Sequence, residues 1–318
     1  MARKVFLDVN GARQGMFIVQ SSESLPVLLY LHGGMPEFFL ERRYPAGLEQ
    51  FFTVVWWEQR GSGISWNPRA PRASITVEQL IDDTLVLSGL LGRRFDQQRI
   101  YLMGHSGGTF LGLQAAATAP ELFHAYIAVA QITNQLESEM RAQRHMIDLC
   151  GARGYTRLAR RLQRAPVTRE GAPDAYMRVR DLAMHRLGVG TMRSMTSVLR
   201  GIVLESLLCE DYTIGERVKL WAAKARSGAS IVWDAMVSTD LRETVPEVAL
   251  PVYFFHGVHD CTCSYDLARE YVRGLKAPTK GFYSFHNSAH SPQFEEPERM
   301  RSIVREDVLR GETSLADG

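Results

Sequence analysis

No stretch of this 318-residue sequence approaches the ~20 consecutive apolar residues that a membrane-crossing helix needs. The first residues, MARKVFLDVNG, are charged and then alternating, without the apolar segment of a secretory signal. Both absences lead us to expect a soluble, cytoplasmic protein with no membrane partner. Cysteine is scarce: Cys150, Cys209, Cys261 and Cys263 are too few to staple a chain of this length. Cys261 and Cys263 are badly spaced for zinc and have no second thiolate pair nearby, so free thiols and no metal are expected. An excess of one charge is missing too. The 37 basic residues nearly balance the 35 acidic ones, and a net charge of +2 draws in no nucleic acid. Repeats and low-complexity tracts are absent, which excludes solenoids and collagen-like chains. What remains is an ordinary composition, 45% hydrophobic and 23% charged, with enough apolar side chain for a sizeable core.

The apolar residues fall into short runs stopped by glycine. Residues 4–9 and 14–19 alternate around Asn10-Gly11, a hairpin signal, because that pair accepts the positive φ of a tight turn. Six continuous runs follow: 26–31, 52–57, 99–103, 125–130, 252–255 and 281–285. Runs of this kind suit strands buried on both faces, as in a parallel sheet. Amphipathic stretches such as Val77–Leu91, Leu267–Leu275 and Arg299–Leu309 lie between them. The expected fold is therefore α/β: a mostly parallel eight-stranded sheet led by an antiparallel hairpin, with helices on both faces. From about Asn134 to Pro246 no strand-plus-glycine unit occurs, and the segment reads as broken helices. Between Arg141 and Arg200 it carries 13 arginines against four acidic residues, read as solvated helix faces, with an electropositive lid that attracts an anionic substrate or partner as the alternative. Residues after Gly311 are expected to fray.

Gly104-His105-Ser106-Gly107-Gly108 fits G-x-S-x-G between a buried strand and a helix-compatible stretch. A sharp strand-to-helix turn there lifts a serine hydroxyl above the sheet edge, and its small flanks let neighbouring backbone close in. A serine needs a base. Of nine histidines, His290 is the candidate, because Pro292 keeps the preceding residue off the helical backbone and leaves His290 on a loop after the last strand. His286, His256 and His259 are competitors. Asp260, after the seventh run, is the candidate to orient the imidazole, ahead of Asp266. The Gly107 N–H and an N–H of His32-Gly33-Gly34, with Gly34 preferred to Gly33, are the candidate oxyanion donors. Trp56, Trp57 and Trp66, and Met177, Met184, Met192 and Met195, read as packing. Arg60 reads as a brace between loops.

His32-Gly33-Gly34, Trp57-Glu58-Gln59-Arg60-Gly61-Ser62-Gly63 and Gly104–Gly108 together resemble the proline iminopeptidase branch of the α/β-hydrolase superfamily. That family typically shows HGGPG, then D-Q-R-G-x-G, then G-x-S-W-G. The similarity spans about residues 25–133 and 250–300. It implies a helical cap inserted after the sixth strand, hence core 1–133, cap 134–245 and core 246–318. It also implies a Ser-Asp-His triad without cofactor, which maps onto Ser106, Asp260 and His290. The chain departs from the pattern at Met35-Pro36-Glu37, at Glu58 and at Gly107. Family aminopeptidases hold the substrate amine with cap glutamates, a role that falls here to Glu205 and Glu210.

The expected activity is a cofactor-independent serine hydrolase cleaving an amide or ester in a small molecule or short peptide. The same scaffold also serves cyclisation, acyl transfer or lyase chemistry, and non-catalytic ligand binding. Nothing in the sequence sets an oligomeric state.

Overall fold

Asn10 and Gly11 take φ values of 50° and 69° and turn the chain between β1 (Arg3–Val9) and β2 (Ala12–Val19). The remaining strands are β3 (Val27–Leu31), β4 (Thr53–Glu58), β5 (Ile100–His105), β6 (Phe123–Val129), β7 (Val252–Gly257) and β8 (Lys280–Phe285). The computed structural model describes residues 2–70, 75–227 and 232–317. The strands form one sheet in the order β1-β2-β4-β3-β5-β6-β7-β8. β1, β2 and β4 pair antiparallel, and the strands from β4 across to β8 run parallel.

Side chains alternate across the sheet and divide the core in two. Leu29, Leu31, Val55, Trp57 and Leu102 belong to one apolar cluster; Leu28, Tyr30, Val54, Trp56, Tyr101 and Met103 belong to the other. Trp57 also donates its indole N–H to Gln14 at 3.0 Å. Helix α1 (Phe38–Arg43) follows β3, and α2 (Val77–Arg94) precedes β5. Thr76 caps α2 by accepting from the Gln79 N–H, and α2 buries Leu80, Leu87 and Leu91. Helix α3 (Gly107–Thr118) starts directly after the β5 turn.

Between β6 and β7 the described chain is helical: α4 (Gln135–Ala152), α5 (Thr156–Gln163), α6 (Asp174–Leu187), α7 (Glu205–Leu208), α8 (Ile214–Ser227), α9 (Trp233–Ser238) and α10 (Leu241–Thr244). The first three of these helices, α4 to α6, share an apolar cluster of their own around Met146, Leu162, Tyr176, Val179 and Met184. Of the 13 arginines, Arg180 turns inward and is held by the fully buried Glu139 at 2.6 Å. After β7 come α11 (Tyr265–Gly274), β8, α12 (Pro292–Glu295) and α13 (Pro297–Ile303).

The C-terminal residues do not fray as expected. Asp307 accepts from the Ser314 and Leu315 N–H groups, the Asp317 N–H donates to the Phe282 carbonyl, and the Asp317 carboxylate accepts from the Ser284 N–H. β8 is an edge strand, so its outer N–H and C=O groups need partners, and the tail supplies them.

Arg60 is a brace. It donates to Asp83 from Nε at 2.6 Å and from Nη2 at 2.9 Å, and to the Val9 and Asn10 carbonyls. Asp83 is fully buried and also accepts from Asn10, Gln14 and Gln79. Asp83→Ala should therefore cost about 3–5 kcal/mol in urea unfolding, since it strands a half-buried guanidinium and three amide donors.

Candidate active site

The strand order reverses between β3 and β5, where the chain first builds outward to β4 and then crosses to the other side. Crevices at such a switch point, outside the carboxyl ends of the strands, collect binding sites in open α/β sheets. Two loops meet there. A Cβ added to Gly33 would lie 2.7 Å from the Ser106 Cβ, and one added to Gly108 would overlap the Leu31 carbonyl oxygen. Only glycine permits both approaches.

Ser106 sits in this contact at φ 55° and ψ −124°, a conformation unfavourable for a residue with a Cβ. Neighbouring bonds hold it there. Its N–H donates to the Val129 carbonyl at 3.0 Å, and its carbonyl accepts from the Thr109 N–H at 2.8 Å and the Thr109 hydroxyl at 2.6 Å. Among the described residues the Gly34 and Gly107 N–H groups have no protein acceptor, whereas the Gly33 N–H donates to Glu37 at 3.3 Å. Of the two candidates in the first loop, Gly34 is thus the one left to meet a ligand oxygen.

Asp260 and His290 come from the loops after β7 and β8. The His290 Nδ1–H donates to Asp260 Oδ2 at 2.9 Å. The Asp260 Oδ1 accepts from the Thr262 and Cys263 N–H groups at 2.7 and 3.0 Å. His256 Nε2, which donates to the Cys263 carbonyl at 3.0 Å, also lies 3.3 Å from Asp260 Oδ2, so this competitor supports the carboxylate. Burial works against ionising Asp260, but His290 and the His256 hydrogen bond outweigh it and hold the carboxyl well below its ordinary range. Burial lowers the His290 pKa below its usual 6.5; the Asp260 charge opposes that shift and the nearby His105 adds to it. A neutral His290 that donates from Nδ1 presents a lone pair at Nε2.

Ser106 and His290 line the same cavity of about 570 Å³. Among the described residues no hydrogen bond joins them; the Ser106 hydroxyl instead meets the Cys263 thiol. Such contacts often tighten only when substrate binds. The helices between β6 and β7 supply much of the remaining wall: Met177, Arg178 and Met184 from α6, Trp221 and Lys224 from α8, Trp233 and Met236 from α9. Lys224 Nζ donates to the Gly34 carbonyl at 3.1 Å. Met192 and Met195 pack in the core instead.

Glu205 and Glu210 are not brought to this cavity. Glu205 accepts from Arg43 at 3.4 Å, because α7 packs toward α1, and Glu210 is exposed. The acids from α6 that do line the cavity are Asp174 and Asp181. Sequence reasoning also passed over Cys263, Glu37, His105 and Lys224. The signal available for two of them was Met35-Pro36-Glu37 in place of the family's Pro-Gly and a histidine before the serine. Asp260, Cys263 and His290 are described residues whose ligand atoms, all within 4.8 Å of one another, could share a metal ion. Burial and the Asp260 charge raise the Cys263 thiol well above its ordinary value, which opposes thiolate ligation.

The depressed Asp260 carboxyl has a consequence for stability. Its contribution is complete above the unfolded value of 3.8 and is lost as pH falls through the lower folded value. The urea midpoint should therefore fall more between pH 5 and pH 3 for the wild type than for Asp260→Asn.

Comparison with known proteins agrees with this architecture. Residues 26–151 match the family model of the alpha/beta hydrolase fold. The chain is 30% identical over 295 residues to the probable aminopeptidase YbaC of Bacillus subtilis (strain 168), covering 92% of this chain and 91% of that protein. Among solved structures, the proline iminopeptidase of Mycobacterium smegmatis superposes with a TM-score of 0.67 at 17% identity, covering 97% of this chain and 98% of that one. A proline iminopeptidase-related protein of Thermus thermophilus gives 0.62 at 20% identity, with the same coverages. The chain belongs to the α/β-hydrolase family.

Proposed function

We propose that this hydrolase-fold chain is a serine hydrolase that cleaves an amide or ester bond through an acyl-enzyme, without a cofactor. One observation carries the reading: Ser106 stands on a strained turn beside Gly33, and the Asp260-oriented His290 lines the same cavity. Ser106 attacks the substrate carbonyl as His290 Nε2 takes its proton. The Gly34 and Gly107 N–H groups receive the developing oxyanion, and the start of α3 adds its dipole. The imidazolium, stabilised by Asp260, then protonates the leaving amine or alcohol. Water enters, His290 deprotonates it, and attack on the acyl carbon releases the acid and restores Ser106.

The helical segment 134–245 acts as a cap over the core parts 1–133 and 246–318, setting substrate choice and excluding water. The substrate is a small molecule or short peptide met in the cytoplasm. Because YbaC is a probable aminopeptidase, unblocked aminoacyl amides are the first substrates to try. The mixed charge of the cavity, with Asp174, Arg178 and Asp181 from α6 and Lys224 from α8, suits a zwitterionic ligand better than a purely apolar acyl chain.

A fluorophosphonate should label the wild type at Ser106 and leave Ser106→Ala unlabelled, with turnover reduced by about three to six orders of magnitude in that variant. A folded wild type that resists labelling would overturn the proposal. Since burial depresses the His290 pKa, kcat/KM should climb with pH along an acid limb centred below 6.5. A panel of prolyl and other aminoacyl amides, N-blocked peptides, esters and lactones then assigns the leaving group.

A further inference from the structure

Beside Ser106, in the wall of the same cavity, lies a second pair of titratable groups. Glu37 follows the His32-Gly33-Gly34 loop, and His105 ends β5; they are 7% and 3% exposed. His105 Nδ1 lies 2.9 and 2.8 Å from the two Glu37 carboxylate oxygens, and His105 Nε2 lies 2.8 Å from the His290 backbone carbonyl. A carbonyl oxygen can only accept, so Nε2 carries a proton. Glu37 also accepts from the Tyr30 hydroxyl at 2.6 Å and the Gly33 N–H at 3.3 Å, so it behaves as an acceptor on every side and Nδ1 carries a proton as well. The pair is therefore imidazolium and carboxylate. Tyr30 in turn accepts from Gln293 at 3.3 Å, three residues beyond His290.

Burying two charges in this way brings little or no net stability compared with apolar packing. What the pair does have is reach, because it touches three of the four loops that the proposed reaction needs, those after β3, β5 and β8. We propose that Glu37 and His105 are positioning residues: the carboxylate holds the Gly33 N–H and so turns the Gly34 N–H toward the oxyanion, while the imidazolium pins the His290 carbonyl. This inference rests on the serine-hydrolase reading. The His105 ring is also 4.8 Å from the His290 ring, centroid to centroid, and its charge helps to keep His290 unprotonated. The other groups facing the pair are Tyr30 from β3, Asp260 from the loop after β7, and His32, whose pKa burial lowers to about 4; Glu41 from α1 faces Tyr30. Lys224 from α8 approaches His32 across the Gly34 loop.

The test uses the whole chain and the second-order rate of Ser106 labelling by a fluorophosphonate between pH 5 and 9. His105→Phe and Glu37→Gln should slow labelling by about 10- to 100-fold, the range expected when reacting groups shift by up to an ångström. His105→Gln, which keeps an amide donor, should recover part of that loss. Its acid limb should move up by about half a pH unit or more, because the neighbouring positive charge is gone. In the wild type, ¹⁵N-histidine NMR should show a histidine with both ring nitrogens protonated at pH 7.5, and this signal should vanish in His105→Gln; it needs no variant to be active. Labelling rates within threefold of wild type in the folded variants, with an unmoved acid limb, would sink the inference, as would a neutral His105 at pH 7.5. If the wild type itself is never labelled, the serine-hydrolase reading fails, and the positioning role falls with it even where the NMR signal is present.

Discussion

At the carboxyl ends of β3 and β5 two backbones approach as closely as glycine allows, and the rest of the site is arranged around that contact. Gly108 lies against the Leu31 carbonyl, and Gly33 lies against Ser106. A methyl group at either position would push the loops apart. With the loops touching, Ser106 takes a backbone conformation it would not choose alone, and the bonds to Val129 and Thr109 carry the strain. The start of α3 then faces the same space as the Gly34 N–H. The parallel strands on either side are fully buried and act as the rigid frame.

A second constraint comes from placing ionisable groups where water does not reach. Asp260 is ionised in a buried setting only because two backbone N–H groups and two histidines converge on it. Glu37 is ionised for a similar reason, with His105, Tyr30 and Gly33 around it. Glu58, also buried, receives the Tyr212 hydroxyl and the Ile64 N–H, yet burial still drives its pKa up to about 7. The three acids show that the balance between desolvation and local donors, and not residue type, sets the charge state.

The helices between β6 and β7 meet the core through the loops that carry the candidate residues. The Cys261 N–H donates to the Val189 carbonyl at 3.1 Å, and the His290 N–H donates to the Gly190 carbonyl at 3.1 Å. Lys224 reaches the Gly34 carbonyl. The loops bearing Asp260, His290 and Gly34 are thus each fastened to the helical segment as well as to the sheet. Any displacement of those helices would be felt at the site's backbone as well as in its walls.

Local chain physics made much of this protein legible from sequence. Five- and six-residue apolar runs stopped by glycine mark strands buried on both faces, and Asn10-Gly11 marks a hairpin, because period and turn chemistry act over a few residues. The same holds for Ser106 on its turn and for Asp260 and His290 at strand exits. Tertiary structure alone decided the rest. Glu37 and His105 are 68 positions apart, and Lys224 and Gly34 are 190 apart. Whether Glu205 faces the cavity depends on α7 packing toward α1, and whether the tail frays depends on an open strand edge waiting for it. Burial and neighbours set both pKa and contact, and neither is written in the spacing of residues along the chain.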